Sequence, residues 1–220
     1  MEIKPKQVTW DQIPKGWYVQ PKYDGECNKL IIKNGKARLV RFEGREKTEF
    51  YPEIIEYANK LDLHGDIASE ISRVLVGEVC VLLDEYKASF PHIQLRMNTQ
   101  NKVKQKLAMK DYLATFVAFD IEEIEGGTLE KMSYGERRKL LEEYIEPYDP
   151  VHRRRIIYAP ELKGQIRKKS EKCWIGYHED WKAFVKKNEM EGIVCKNPDA
   201  ISEWVKLKNW DEDEFKIVGT

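Results

Sequence analysis

Neither sign of charge prevails in this sequence: 38 Lys and Arg are matched by 38 Asp and Glu. Global charge therefore gives no sign of nucleic-acid affinity, and any basic face has to be local. Cysteine is sparse as well. Cys27, Cys80, Cys173 and Cys195 offer no pair at zinc-ligand spacing and no disulfide framework, which leaves reduced, buried thiols among apolar neighbours. No apolar run is long enough to span a bilayer, and MEIKPKQVTW lacks an apolar signal region, so a soluble, cytoplasmic protein with no membrane partner is expected. Repeats, low-complexity segments and Pro/Gly/Ser linkers are missing too. What remains is a chain of 220 residues, 41% hydrophobic, sufficient for one domain over residues 1–220 with a core of its own. Its 35% of charged residues, mostly Lys and Glu, is a bias shared with heat-adapted proteins and says nothing about function.

The first third alternates. GWYVQPKY, CNKLIIKNG and KARLVRFEG read as strands, with Asp24-Gly25 and Asn34-Gly35 as hairpin signals, because both dipeptides tolerate a left-handed backbone. An antiparallel meander is expected there. YPEIIEYANKLDL reads as a helix starting after Pro52, SRVLVGEVCVLL as an apolar strand, NTQNKVKQKLAMKDYL as a helix and ATFVAFDIEEIEGG as a buried strand. SYGERRKLLEEYI opens with Ser133 and Glu136 at capping-box spacing. RRRIIYAP is a short strand, EDWKAFVKKNEM a helix, and EGIVCKN, SEWVKLKN and EFKIVGT three short β-like runs. Strands and helices do not alternate regularly, so the expected class is α+β, with mostly antiparallel sheets flanked by helices.

Several of these strands carry a charge where burial is expected: Glu78 in VGEVC, Asp120 in FVAFDIEE, Glu191 beside GIVCK, and Lys206 and Lys208 in WVKLK. Burying a charge costs several kcal/mol unless it is paired or binds an ion. Lys206 and Lys208 alternate with Val205 and Leu207 and so share one sheet face, which taken alone reads as a solvated face. Carboxylates and lysines converging in one groove instead suit a metal-bound polyphosphate.

In this order the motifs resemble those of the covalent nucleotidyltransferase superfamily: ATP-dependent DNA ligases, RNA ligases and mRNA-capping guanylyltransferases. Lys22-Tyr23-Asp24-Gly25 matches the KxDG motif, EGIVCK the EGxVxK motif and WVKLK the paired-lysine motif. VGEVC resembles the acidic motif between them. FYPEI and FVAFDIEEIEGGTLEKMSYGERRKLLEEY are similar to DNA ligase segments, and the likeness runs from about Trp17 to Thr220. The resemblance implies an ATP-grasp-like nucleotidyltransferase (adenylation) domain using ATP with Mg²⁺ or Mn²⁺. Lys22 would form a lysyl-AMP, and AMP would pass to a 5′-phosphate before the nick is sealed. Lys206 and Lys208 would stabilise the transferred phosphate, and Glu191 would link to the metal. Glu78 would bind the ribose or support the metal. Phe119 would stack on adenine, Gln20 would accept from its amino group, and Asp24 and Gly25 would set the position of the lysine. The implied partner is nicked double-stranded DNA, with RNA as the alternative, bound by a monomer. Basic surface for it is offered by Arg153-Arg154-Arg155, Arg167-Lys168-Lys169 and the helix from Lys102 to Lys110.

The pattern breaks in three places. Cys27 stands where DNA ligases commonly have an arginine. A second expected arginine aligns with Phe42, while Arg41 lies one residue earlier and reaches the nucleotide only if a bulge restores its face. DEDEFKIVGT, residues 211–220 after Trp210, resembles the lead-in to an oligonucleotide-binding domain, and that domain is expected to be absent here and supplied elsewhere. Slow self-adenylation and poor nick sealing are expected without it. Competing expectations are an RNA ligase, a GTP-dependent capping guanylyltransferase, and an inactive nucleic-acid-binding domain of the same fold.

Overall fold

The computed structural model describes residues 5–61, 72–97, 101–147, 154–162 and 176–209. The EFKIVGT run, Cys173, Arg153 and the Arg167-Lys168-Lys169 cluster lie outside these residues. In chain order the described elements are β1 (Lys6–Gln7), β2 (Tyr18–Pro21), β3 (Glu26–Lys33), β4 (Lys36–Arg41), α1 (Pro52–Leu61), β5 (Ser72–Cys80), α2 (Phe90–Met97), α3 (Lys102–Asp111), β6 (Thr115–Ile124), β7 (Gly127–Thr128), α4 (Tyr134–Tyr144), β8 (Ile156–Tyr158), α5 (Gly176–Lys187), β9 (Gly192–Lys196) and β10 (Trp204–Lys208).

The strands form two sheets. The smaller has the order β1-β10-β9-β2, antiparallel apart from the short β1. The larger has the order β4-β3-β5-β6-β7, with β8 parallel to β6. Each sheet has its own core. Leu30, Ile32, Leu39, Leu75 and Val79 pack with Ile54 and Ala58 of α1, Ile93 of α2 and Leu141 of α4. Behind the smaller sheet, Val19, Ile193, Cys195, Val205 and Leu207 pack with Trp181 and Val185 of α5. A third, small cluster of Tyr23, Cys80, Val117, Ile157 and Ala159 joins the two sheets. The expected α+β class with mostly antiparallel sheets is the observed one. Ser133 and Glu136 close the expected capping box of α4, with 2.8 Å from Ser133 N to the Glu136 carboxylate. Short α2, with Pro91 in its first turn where a missing N–H costs nothing, was not foreseen.

The Asp24-Gly25 hairpin does not exist. β2 belongs to the smaller sheet and β3 to the larger, so QPKYDGECNK crosses between sheets instead of folding back. Gly25 is not among the residues with positive φ. Its requirement is space: an added Cβ would collide with the Val79 carbonyl and come within 3.0 Å of both Glu78 Cγ and Cys80 Cβ. The meander therefore shrinks to β3 and β4, whose turn does use Asn34 (φ 51°) and Gly35 (φ 68°). Gly25→Ala is expected to destabilise by about 1–3 kcal/mol through overpacking against β5. Urea unfolding measures this, and an unchanged midpoint would show that β3 can move away at no cost.

Candidate active site

The crossing segment brings Lys22 to the start of β9, where its backbone N–H donates to the Gly192 carbonyl at 2.9 Å. Glu191, the residue before β9, meets the lysine side chain: Lys22 Nζ lies 2.7 Å from both Oε1 and Oε2. Lys208 approaches the same carboxylate, 3.5 Å from Oε1. Gly192 makes that approach feasible, since a Cβ there would collide with the Leu207 carbonyl and lie 2.9 Å from Lys208 Cα. Lys206 lies on the same face of β10, half-buried, with its carbonyl accepting from Val8 N at 3.1 Å.

Glu78 of β5 faces this group from the larger sheet, flanked in register by Cys27 of β3 and Val117 of β6. Burial pushes its carboxyl up to about 8; Lys22 opposes the shift, and Glu191, Asp24 and Glu26 add to it. Asp24 is also raised, first by burial and then by Glu191, with Lys22 and Lys208 opposing. Three carboxylates and two lysines thus act on one another from the two sheets. Glu78 and Asp24 are poorly compensated, a condition that an arriving cation would relieve. No three acidic, His or Cys side chains among the described residues close on one point as a metal cage. Mg²⁺, which keeps several waters and takes one or two carboxylates together with substrate phosphates, would need no such cage.

Farther along the same groove, Gln20 is 1% exposed and gives Nε2 to the Ala159 carbonyl at 3.4 Å. Its Oε1 is buried with no hydrogen-bond partner. Tyr134 donates to the Phe119 carbonyl at 3.2 Å. The strand separates its two phenylalanines: Phe116 is buried in the large core, and Phe119, at an irregularity in the β5–β6 register, stays half-buried at the groove. Lys196, fully buried, donates to the Phe119 carbonyl at 2.8 Å and lies 3.9–4.6 Å from the ring centres of Trp204, Phe119 and Tyr134. Burial holds its amine well below the usual lysine range, with Asp120 opposing. No signal in the sequence announced this cage, because its rings come from β6, α4 and β10.

Two expectations fail to converge on Lys22. Asp120 is an internal strut, gripped by Arg137 through two contacts of 2.8 Å. Arg41 pairs with Asn28 in an unbroken β3–β4 register, so no bulge turns it toward Lys22. Its Nε lies 3.0 Å from Glu43 and 3.6 Å from Glu26, on the face of β3 opposite to Cys27. Glu26 is held there by Lys47 at 3.0 Å and Tyr51 at 2.9 Å.

With this geometry in place, the comparisons are decisive. The sequence model of the family described as "ATP dependent DNA ligase domain" matches residues 4–210. The chain belongs to that family. It is 27% identical over 224 residues to the bifunctional non-homologous end joining protein LigD of Bacillus subtilis, covering 99% of this chain and 35% of that protein. DNA ligase 1 of Methanosarcina barkeri is 35% identical over 170 residues, covering 73% of this chain and 29% of the relative. The chain thus spans about a third of the length of these relatives. In fold it is similar to a mycobacterial DNA ligase D solved with ATP and MES, with a TM-score of 0.64 at 24% identity, over 95% of this chain and 61% of that one.

A carboxyl pushed up to about 8 makes the folded ligase domain hold a proton that the unfolded chain has lost. Through this group stability is fully present below the ordinary value of 4.5, falls as pH rises from there to about 8, and is flat above it. Glu78→Gln should therefore melt higher than the parent at pH 9, by on the order of a few °C, and gain much less at pH 5. Thermal melts across that range check this; parallel curves for the two proteins would refute it.

Proposed function

We propose that this chain is the nucleotidyl-transfer unit of an ATP-dependent DNA ligase. The observation that carries the reading is Lys22 clamped by Glu191 beside Lys208, with Glu78 and Asp24 facing it. Gln20 Oε1, lacking a partner of its own, accepts from the adenine amino group, and Phe119 stacks on the base. Lys206 and Lys208 neutralise the α-phosphate. A bound Mg²⁺, held by Glu191 and Glu78, supplies charge neutralisation at the phosphate oxygens. Once Glu191 releases Lys22, the amine loses a proton to water and attacks the α-phosphorus. The new Nζ–P bond forms as the bond from the α-phosphorus to pyrophosphate breaks. A nick 5′-phosphate oxygen then takes the AMP from Lys22, and the 3′-hydroxyl displaces AMP to close the strand. Nicked duplex DNA is the substrate, bound by a monomer with the help of an oligonucleotide-binding domain.

The test is incubation with α-labelled ATP and Mg²⁺, followed by denaturing electrophoresis. Label should stay on the protein and vanish in Lys22→Ala, and Glu191→Ala should slow labelling by roughly 100-fold or more. Nicked DNA and nicked RNA run in parallel decide the polymer. A protein that takes no label, even with an oligonucleotide-binding domain supplied, would overturn the reading.

A further inference from the structure

One buried amine takes no part in the clamp at Lys22. Lys196 ends β9 and pairs in register with Trp204 of β10 and Tyr18 of β2. Residues directly opposite share a face, so Lys196 stands on the same side of the smaller sheet as Lys206, Lys208 and Gln20. Only 1% of it is exposed. Its amine meets a carbonyl, a hydroxyl and three rings rather than a carboxylate. A methionine would fill the same space without the desolvation of an amine, so filling space does not account for the nitrogen.

The contact with the larger sheet does. Ala118 of β6 pairs with Gly77 and Asp120 with Val76, so consecutive residues of β5 face residues two apart and Phe119 is the extra one. This is a β-bulge, a device by which a strand re-aims one side chain. On the other edge of β6, the pairing with β8 stops at Ala118. Phe119 is thus unpaired in both registers, and its carbonyl accepts from two side chains: Lys196 Nζ at 2.8 Å and the Tyr134 hydroxyl at 3.2 Å. Those two donors lie 3.4 Å from each other. The Phe119 ring is left half-buried at the groove, 5.8 Å from the Trp204 ring and nearly perpendicular to it.

We propose that Lys196 is a positioning residue for the nucleobase: its amine, with the Tyr134 hydroxyl, pins the Phe119 bulge and so fixes the plane on which the base stacks. The proposal rests on the reading of this chain as an ATP-using ligase domain in which Phe119 meets adenine. Lys196 acts through Phe119 and touches no reacting atom. Because it reaches from one sheet to the other, it also sets the separation between Gln20 on the smaller sheet and Phe119 on the larger. The edge and the face of one base are then gripped by parts held in fixed relation. Burial, which holds the amine well below the usual lysine range, suits this role, since a neutral amine still donates.

The experiment is the rate of labelling from α-labelled ATP and Mg²⁺ over a range of ATP concentrations. It compares the parent, Lys196→Met, Tyr134→Phe, Phe119→Ala, and Lys196→Met combined with Phe119→Ala. Ribose 5-triphosphate, which carries the sugar and phosphates without a base, is the competitor in each case. Lys196→Met should raise the half-saturating ATP concentration by roughly 10-fold, as loss of a stacking partner does, and change the limiting rate far less. Tyr134→Phe, which deletes one donor to the same carbonyl, should raise it by about 2–3-fold. The inhibition constant of ribose 5-triphosphate should stay that of the parent throughout, and the double variant should be no worse than Phe119→Ala alone. A lysine that only supports the fold would weaken ATP and ribose 5-triphosphate alike. That outcome, additive losses in the double variant, or an unchanged half-saturating concentration overturns the proposal. Thermal melts confirm folding, and if Lys196→Met does not fold, Tyr134→Phe decides by the same two constants. Failure of the underlying reading looks different: the parent itself would take no label, or Phe119→Ala would use ATP as the parent does.

Discussion

Everything at the groove depends on the grip of one carboxylate on one amine. Glu191 holds Lys22 with both oxygens across 169 positions of sequence, and Lys208 takes part of the same charge. As a pair about a quarter exposed, the clamp adds little stability of its own, and its effect is to fix where the amine lies. The same clamp defines the chemical problem, since an amine that donates to a carboxylate has no lone pair to offer. In the proposed mechanism the decisive event is the redirection of Glu191, and Glu78 and Asp24, both raised by burial, are groups whose ionised form an arriving cation would favour.

Away from the groove the chain treats charge differently. Asp120 and Arg137 are a buried pair whose fork is matched and whose remaining donors reach the Met132 and Ile201 carbonyls. This is a closed unit with nothing left to bind. Gln20 Oε1 and the raised carboxyl of Glu78 are open ones. The contrast between satisfied and unsatisfied burial separates structural charge from working charge more sharply than burial alone.

Local rules carried the sequence reading a long way. Apolar alternation located β3 and β4, apolar runs located β5 and β6, and the capping box located α4. The order of charged motifs identified the family. What escaped was set by long-range packing. Asp24-Gly25 reads as a turn because a glycine needed for a left-handed backbone and a glycine needed for close approach are the same letter; only the position of β5 tells them apart. The side occupied by Arg41 depends on whether β3 and β4 pair without interruption, which no single strand reveals. Lys196 looked like the end of a motif, and its ring of aromatic neighbours exists only once two sheets and a helix have met.

The crossing of QPKYDGECNK from one sheet to the other has a mechanical meaning. Each sheet is backed by its own core, and the seam between them is a small cluster with a handful of polar ties, among them Tyr23 to the Glu85 carbonyl and Lys196 to the Phe119 carbonyl. Such a seam is the place where a protein opens partially at a free energy below that of global unfolding. Lys22, the proposed nucleophile, lies on that seam, so gentle warming or dilute denaturant would disperse its charged neighbours while both cores are still intact. In the proposed mechanism, competence is a property of how the halves are fastened.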